Sequence, residues 1–191
     1  MKKTLFIILC LTFQNLSAQK RESNGFIALT VGPSFPLGQQ SSSASFSESG
    51  AHVNLVNFGY NFGGVLGVCG SWFGTSYQLK NTNSVWAYGG MMAGPMATLA
   101  LSERSFIDFR GMVGFSGYEY QTSISNKEDV TDFCYNFGSQ IRMNFAPRWG
   151  ILFGLDYFNT QTKIFDGKNR PLSSINMSFG LIFNFKKVYE R

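Results

Sequence analysis

The sequence predicts an all-β chain, an eight-stranded antiparallel up-and-down transmembrane β-barrel. Three observations carry that expectation. Apolar and polar residues alternate with a period of two through most of the chain, the repeat of a strand with one oily and one polar face. Short and long connections alternate between successive segments. The lysines that follow the N-terminal leader all fall in tails or long connections: Lys20, Lys80, Lys127, Lys163, Lys168, Lys186 and Lys187.

The chain opens with a secretory leader. Lys2 and Lys3 form a positive region, Leu5 to Phe13 an apolar run too short to span a bilayer, and "QNLSA" a small-residue exit. Cleavage is expected after Ala18, leaving a single barrel domain over 19–191. Cys10 is not a lipidation site, because it lies inside the apolar run behind Leu9. Loss of Lys2 and Lys3 lowers the formal net charge from +5 to +3, which is no nucleic-acid signature.

Turn residues then divide the 191-residue chain into eight strands: Gly25–Phe35, His52–Phe62, Val65–Gly74, Val85–Leu99, Phe106–Tyr118, Thr131–Phe145, Trp149–Asn159 and Ser174–Phe185. The second, fourth and sixth links are tight ("FGG", "LSERS", "APR"). The first, third, fifth and seventh are long and polar. Tight turns on one rim and long loops on the other are the habit of an outer-membrane barrel, with turns and termini periplasmic and loops extracellular.

Charge placement decides which face meets lipid. Charged residues make up only 14% of the chain, well below a soluble domain. A water-facing barrel wall would carry lysine and glutamate. Here the polar parity holds Gly, Asn, Ser, Gln and a few Asp and Arg, residues suited to a narrow hydrogen-bonded interior. The sixth strand shows it, with Phe133, Tyr135, Phe137, Ile141, Met143 and Phe145 alternating with Asp132, Cys134, Asn136, Gly138, Gln140, Arg142 and Asn144. The apolar parity therefore faces lipid. Aromatic belts are expected at both ends, Phe62, Phe145, Trp149 and Phe185 on the turn side and Trp72, Trp86, Tyr118, Phe133 and Tyr157 on the loop side. The second and fourth strands alternate too poorly to assign a facing, and Pro95 suggests a bulge in the fourth.

The inward parity also holds the charges. Asp108, Arg110, Asp132, Arg142 and Asp156 fall there, as an interior charge network. Aligning the fifth and sixth strands puts Asp108 opposite Gln140 and diagonal to Arg142. Arg110 then stands by Gly138, which opens a path to Asp156. Buried charges occur paired, so the expected role is structural. The alternative is a gated polar path, which a barrel this narrow leaves little room for.

Cys69 and Cys134 lie three strands apart, too far for a disulfide. The single histidine, His52, adjoins a serine-rich stretch with Ser47, Glu48 and Ser49, the one nominal catalytic set, with no motif fixing its spacing. No metal cluster is expected from one histidine and two separated cysteines, nor any cofactor; no phosphate-binding glycine loop is present.

With these residues in view, the chain resembles the small outer-membrane β-barrel proteins, the OmpX, OmpA-barrel and OmpW-like set. It is particularly similar to the family described as the "outer membrane protein beta-barrel domain". The resemblance covers nearly all of the chain after the leader. It rests on the architecture, on the opening "GFIALTVGPSFPLG" and on the closing strand. It implies an assembly signal in that strand, Ser178, Gly180, Phe183 and Phe185, read by the outer-membrane assembly machinery. The tail "KKVYER" departs from relatives that stop at the aromatic.

Three functions follow as expectations. The first is a non-enzymatic, monomeric barrel embedded in outer-membrane lipid, serving structure or surface interaction through its loops. The second is a narrow OmpW-like conduit for small or hydrophobic solutes, which an apolar loop-side interior would favour. The third is a lipid-modifying enzyme using His52, as the resemblance allows.

Overall fold

A computed structural model describes residues 24–37, 46–79, 85–120, 131–163 and 169–188. The leader and cleavage point, much of the long loops and the end of the tail lie outside these residues. The strands are β1 (Asn24–Leu37), β2 (Phe46–Asn61), β3 (Leu66–Leu79), β4 (Val85–Ala100), β5 (Ser105–Tyr120), β6 (Thr131–Asn144), β7 (Trp149–Lys163) and β8 (Asn169–Asn184). Each pairs antiparallel with its chain neighbours, and β1 pairs with β8, closing an eight-stranded barrel in sequence order.

The strands run further at the loop end than the alternation indicates. β2 begins at Phe46 rather than His52, β3 ends at Leu79 rather than Gly74, and β7 and β8 pair out to Lys163 and Asn169. Backbone pairing continues there past the alternating apolar residues, into sequence with polar residues at successive positions such as Gln161, Thr162 and Lys163, so the period-two signal fades. Lys163 consequently ends a strand, a correction to the expectation that no lysine lies within one. At the opposite rim the turns stay tight. In the first, Gly63 adopts φ 98°, a left-handed conformation suited to glycine, and its N–H donates to Asn61 Oδ1 at 2.8 Å.

Large apolar side chains cover the outside. Phe115, Phe137 and Met91 are each more than 60% exposed, while the opposite parity is buried. This is the inversion expected where the solvent is lipid. The turn-side aromatics Phe62, Phe145, Trp149 and Phe185 all point out, as do Trp72, Phe133 and Tyr157 near the loops. Trp86 does not. It is 1% exposed and faces the lumen, a correction to its place in the loop-side belt. The side chain of Tyr118 lies outside the described residues.

The two strands that resist reading do so for different reasons. In β2 the pairing with both neighbours slips by one residue at Leu55–Val56. This bulge exchanges the parities, so His52 and Asn54 are buried before it and Asn57 and Gly59 after it. In β4 the alternation is regular, but both faces are apolar or small. Trp86, Tyr88, Met92 and Met96 are inside, and Ala87, Gly89, Met91, Ala93 and Pro95 outside. The bulge expected at Pro95 is absent. Val68 pairs with Pro95 in unbroken register, and toward β5 the register is the same on either side of it. Proline removes one ladder donor without adding a residue.

Candidate functional site

The described interior is built in two storeys, each crossing the lumen from wall to wall. The mid-barrel storey is ionic. On β5 and β6, Asp108 pairs with Gln140 and Arg110 with Gly138; Gly138 in turn pairs with Asp156 on β7. A Cβ at Gly138 would run into the Asp156 carboxylate, so the glycine is the space through which Arg110 reaches it. Arg110 Nε donates to Asp156 Oδ1 at 3.0 Å and Nη2 to Oδ2 at 2.5 Å. Arg142 grips Asp108 in the same two-pronged way, Nε to Oδ2 at 2.6 Å and Nη2 to Oδ1 at 2.8 Å. Both pairs are buried, Arg110 and Asp156 to 1% and 2% side-chain exposure. Bidentate geometry of this kind is the strong form of the arginine–carboxylate contact.

Two amides join the pairs into one chain. Arg110 Nη1 donates to Asn57 Oδ1 at 2.9 Å, and Asn57 Nδ2 to Gln140 Oε1 at 3.1 Å. Gln140 Nε2 then donates to Asp108 Oδ2 at 2.9 Å, and Thr98 Oγ1 to Asp108 Oδ1 at 2.7 Å. Asn57 is on β2 and Gln140 on β6, opposite walls of the ring. On its turn side the storey ends on rings, with the Arg142 guanidinium 4.2 Å from the centroid of Phe26 and 5.0 Å from that of Phe106. Asp132 takes no part in either pair; it sits half-buried at the loop-side end of β6, opposite Ser116.

The loop-side storey is aromatic. Phe73 and Tyr77 of β3, Trp86 and Tyr88 of β4 and Phe158 of β7 are buried together. Ring centroids stand 5.1 Å apart for Tyr88 and Phe158, 5.1 Å for Phe73 and Phe158, and 5.2 Å for Trp86 and Tyr88. Hydroxyls tie the rings to the far wall. Tyr88 OH shares a hydrogen bond with Ser174 Oγ of β8 at 3.2 Å, and Tyr77 OH with Ser34 Oγ of β1 at 2.5 Å. Ser34 and Ser174 both donate to Asn176 Oδ1.

His52 belongs to this storey. Its Nδ1 and Thr75 Oγ1 share a hydrogen bond of 2.7 Å, and its ring stacks on Phe73. His52 is 6% exposed, whereas Ser49 is exposed in the irregular start of β2. The side chains of Ser47 and Glu48 lie outside the described residues. The lone histidine thus reads as a packed interior side chain. Among the described residues no group of three or more His, Cys, Asp or Glu could hold a metal ion.

Sequence reasoning missed Asn57 and the whole aromatic storey. Asp132 and Asn136 fall on the inward parity near the loops, yet the centre of the loop-side interior is ring against ring. The available signal was β3, whose inward parity (Cys69, Ser71, Phe73, Thr75, Tyr77) could have oriented β4 by pairing. In the closing strand, Ser178 is buried, Gly180 packs against the Leu29 carbonyl, Phe183 meets Trp149 at 5.2 Å and Phe185 is exposed.

This closed, crossed barrel has clear counterparts among solved structures. Neisserial surface protein A superposes with a TM-score of 0.65 at 11% identity, covering 83% of this chain and 96% of its own. Ail, the attachment invasion locus protein of Yersinia pestis, solved with the heparin analogue sucrose octasulfate, gives 0.53 at 17%, covering 87% and 99%. The fold is that of the small outer-membrane β-barrels. No family model and no curated protein matches the chain, so structure alone carries the likeness.

Proposed function

We propose that the protein is a closed, non-enzymatic outer-membrane barrel, a rigid stake that holds its polar loops at the cell surface. Short turns and both termini face the periplasm, and residues 1–18 are the export leader. The single observation behind the reading is the double crossing of the lumen. Interlocked side chains from opposite walls leave the barrel wall and its loops as the parts able to meet a partner. The two superposable proteins are a surface protein and an attachment protein by name, and loop presentation is the role their common fold suits. Ser178, Gly180, Phe183 and Phe185 would serve as the assembly signal at the seam between β8 and β1.

The test is electrical. In planar bilayers the purified barrel should show no stepwise conductance. Regular unitary steps in the wild type would overturn the plugged reading. One observation favours a second reading, a conduit for small apolar solutes, because the loop-side interior is aromatic rather than polar. Release of a hydrophobic fluorescent dye from vesicles through the wild type, with no ionic current, would select it.

A further inference from the structure

The wall formed by β3, β4 and β5 carries a feature that neither storey uses. Both cysteines after the leader and three methionines point into the lumen, and all are buried: Cys69, Met92, Met96, Met112 and Cys134. Four of them converge. Cys69 is the direct partner of Gly94. Met92 and Met96 lie two residues to either side of Gly94 on the same inward parity. On the other flank, the pairs Ala93–Val113 and Met96–Arg110 set Met112 across from Gly94. A residue with no side chain therefore has a sulfur-bearing residue as its neighbour on all four sides. Strand spacing and rise put each of these Cα atoms about 5–7 Å from that of Gly94, within reach of a methionine side chain.

Two atomic positions in the set bear on Cys69. The Cys69 thiol is directed toward β4, its Sγ 3.5 Å from the Gly94 carbonyl oxygen and 3.6 Å from that of Pro95. Met96 leans the other way, over the cysteine. Its Cε lies 3.1 Å from where a Cβ of Gly59 would stand, and Gly59 is the partner of Cys69 on β2. Methionine fills irregular cores well, and here the three methionines buried among the described residues all neighbour the same glycine. The outward methionines, Met91, Met143 and Met177, stand singly on three different strands.

We propose that Cys69, Met92, Met96 and Met112 form a binding site for one soft monovalent metal ion of the Cu(I) class. Thiolate and thioether donors select Cu(I) over harder ions. On binding, the Cys69 S–H bond breaks, a sulfur–metal bond forms and the proton passes to solvent, with no change of oxidation state. One thiolate and one monovalent cation sum to zero charge, as a dry lumen requires. The adjacent cation, Arg110, is already matched by Asp156. Cys134 is three strands from Cys69, about 14 Å along the wall, and lies outside the set.

The test uses the chain from Gln19, refolded into detergent with Cu(I) under argon and challenged with bathocuproine disulfonate, a Cu(I) chelator. One Cu(I) per chain should resist the chelator. Met96→Leu and Met112→Leu nearly conserve volume. Each should weaken retention about tenfold or more, since even indirect supports of a metal site cost that much. Met91→Leu and Met143→Leu should change nothing. Heat-modifiable gel migration verifies that every variant folds. A wild type that holds no Cu(I) overturns the proposal. So does retention unchanged in the Met96→Leu/Met112→Leu double variant, which would mean capture by thiols alone.

Discussion

The ionic and aromatic storeys close the same lumen by opposite means. The ionic storey spends charge, and each group is costly to bury unless its partner is present. The aromatic storey buries rings whose few hydroxyls reach across to serine and asparagine. The difference predicts how each fails. Removing one member of a charged pair strands the other in a dry interior, whereas trimming a ring leaves a cavity near the loop mouth. One storey should be brittle and rescuable by a second substitution, the other soft and additive.

The largest expected effect is at the more deeply buried pair. Arg110→Ala leaves the Asp156 carboxylate unpaired at 2% side-chain exposure. Such a loss costs about 3–5 kcal/mol, and Asp156→Asn in the same chain should recover part of it by removing the stranded charge. Denaturant unfolding in lipid vesicles measures both. Equal stability of the single and double variants would mean that water reaches the pair, and the contrast between storeys would lose its basis. Gly138→Ala sharpens the point, since it removes no charge and only fills the gap through which the pair meets. It should fall near Arg110→Ala rather than near an exposed glycine substitution.

That storey was also the legible one. Asp108, Arg110, Arg142 and Asp156 stand out because their neighbours in sequence are large and apolar, so the inward parity is unmistakable in β5, β6 and β7. Aligning those strands about their loop puts Asp108 by Gln140 and Arg110 by Gly138, the pairing the structure has. The aromatic storey gave no such contrast. In β4 both parities are apolar or small, so period two carries no sign, and Trp86 looks like a belt residue until its pairing with Tyr77 turns it inward. In β2 the signal is present but reverses at Leu55–Val56. A bulge is a backbone event that side-chain order alone does not reveal. The grouping of Cys69, Met92, Met96 and Met112 about Gly94 was hidden for the same reason as Trp86, because two of the four lie on β4 and the other two pair against it.

Next in size comes Trp86→Ala. Truncating a large buried aromatic costs about 3 kcal/mol or more, set by how far the site collapses. No single second substitution should restore it, because no charge is left behind. Rescue by a point change elsewhere in the storey would show that the rings are coupled as tightly as the ion pairs.

The smallest informative effect separates the hydroxyl of Tyr88 from its ring. Tyr88→Phe keeps the stack on Phe158 and removes the hydroxyl, and with it the cross-lumen bond to Ser174. A neutral hydrogen bond contributes about 1 kcal/mol net, so the expected loss is of that order. Ser174 would still donate to Asn176, and its hydroxyl would not be orphaned. Lys187→Ala sets the floor, because the side chain is exposed on the tail and an exposed charge contributes at most about 1 kcal/mol. If Tyr88→Phe matches Lys187→Ala, the aromatic storey holds by ring packing alone. If it approaches Arg110→Ala, the hydroxyl network fails as abruptly as the ion pairs, and both storeys are polar locks.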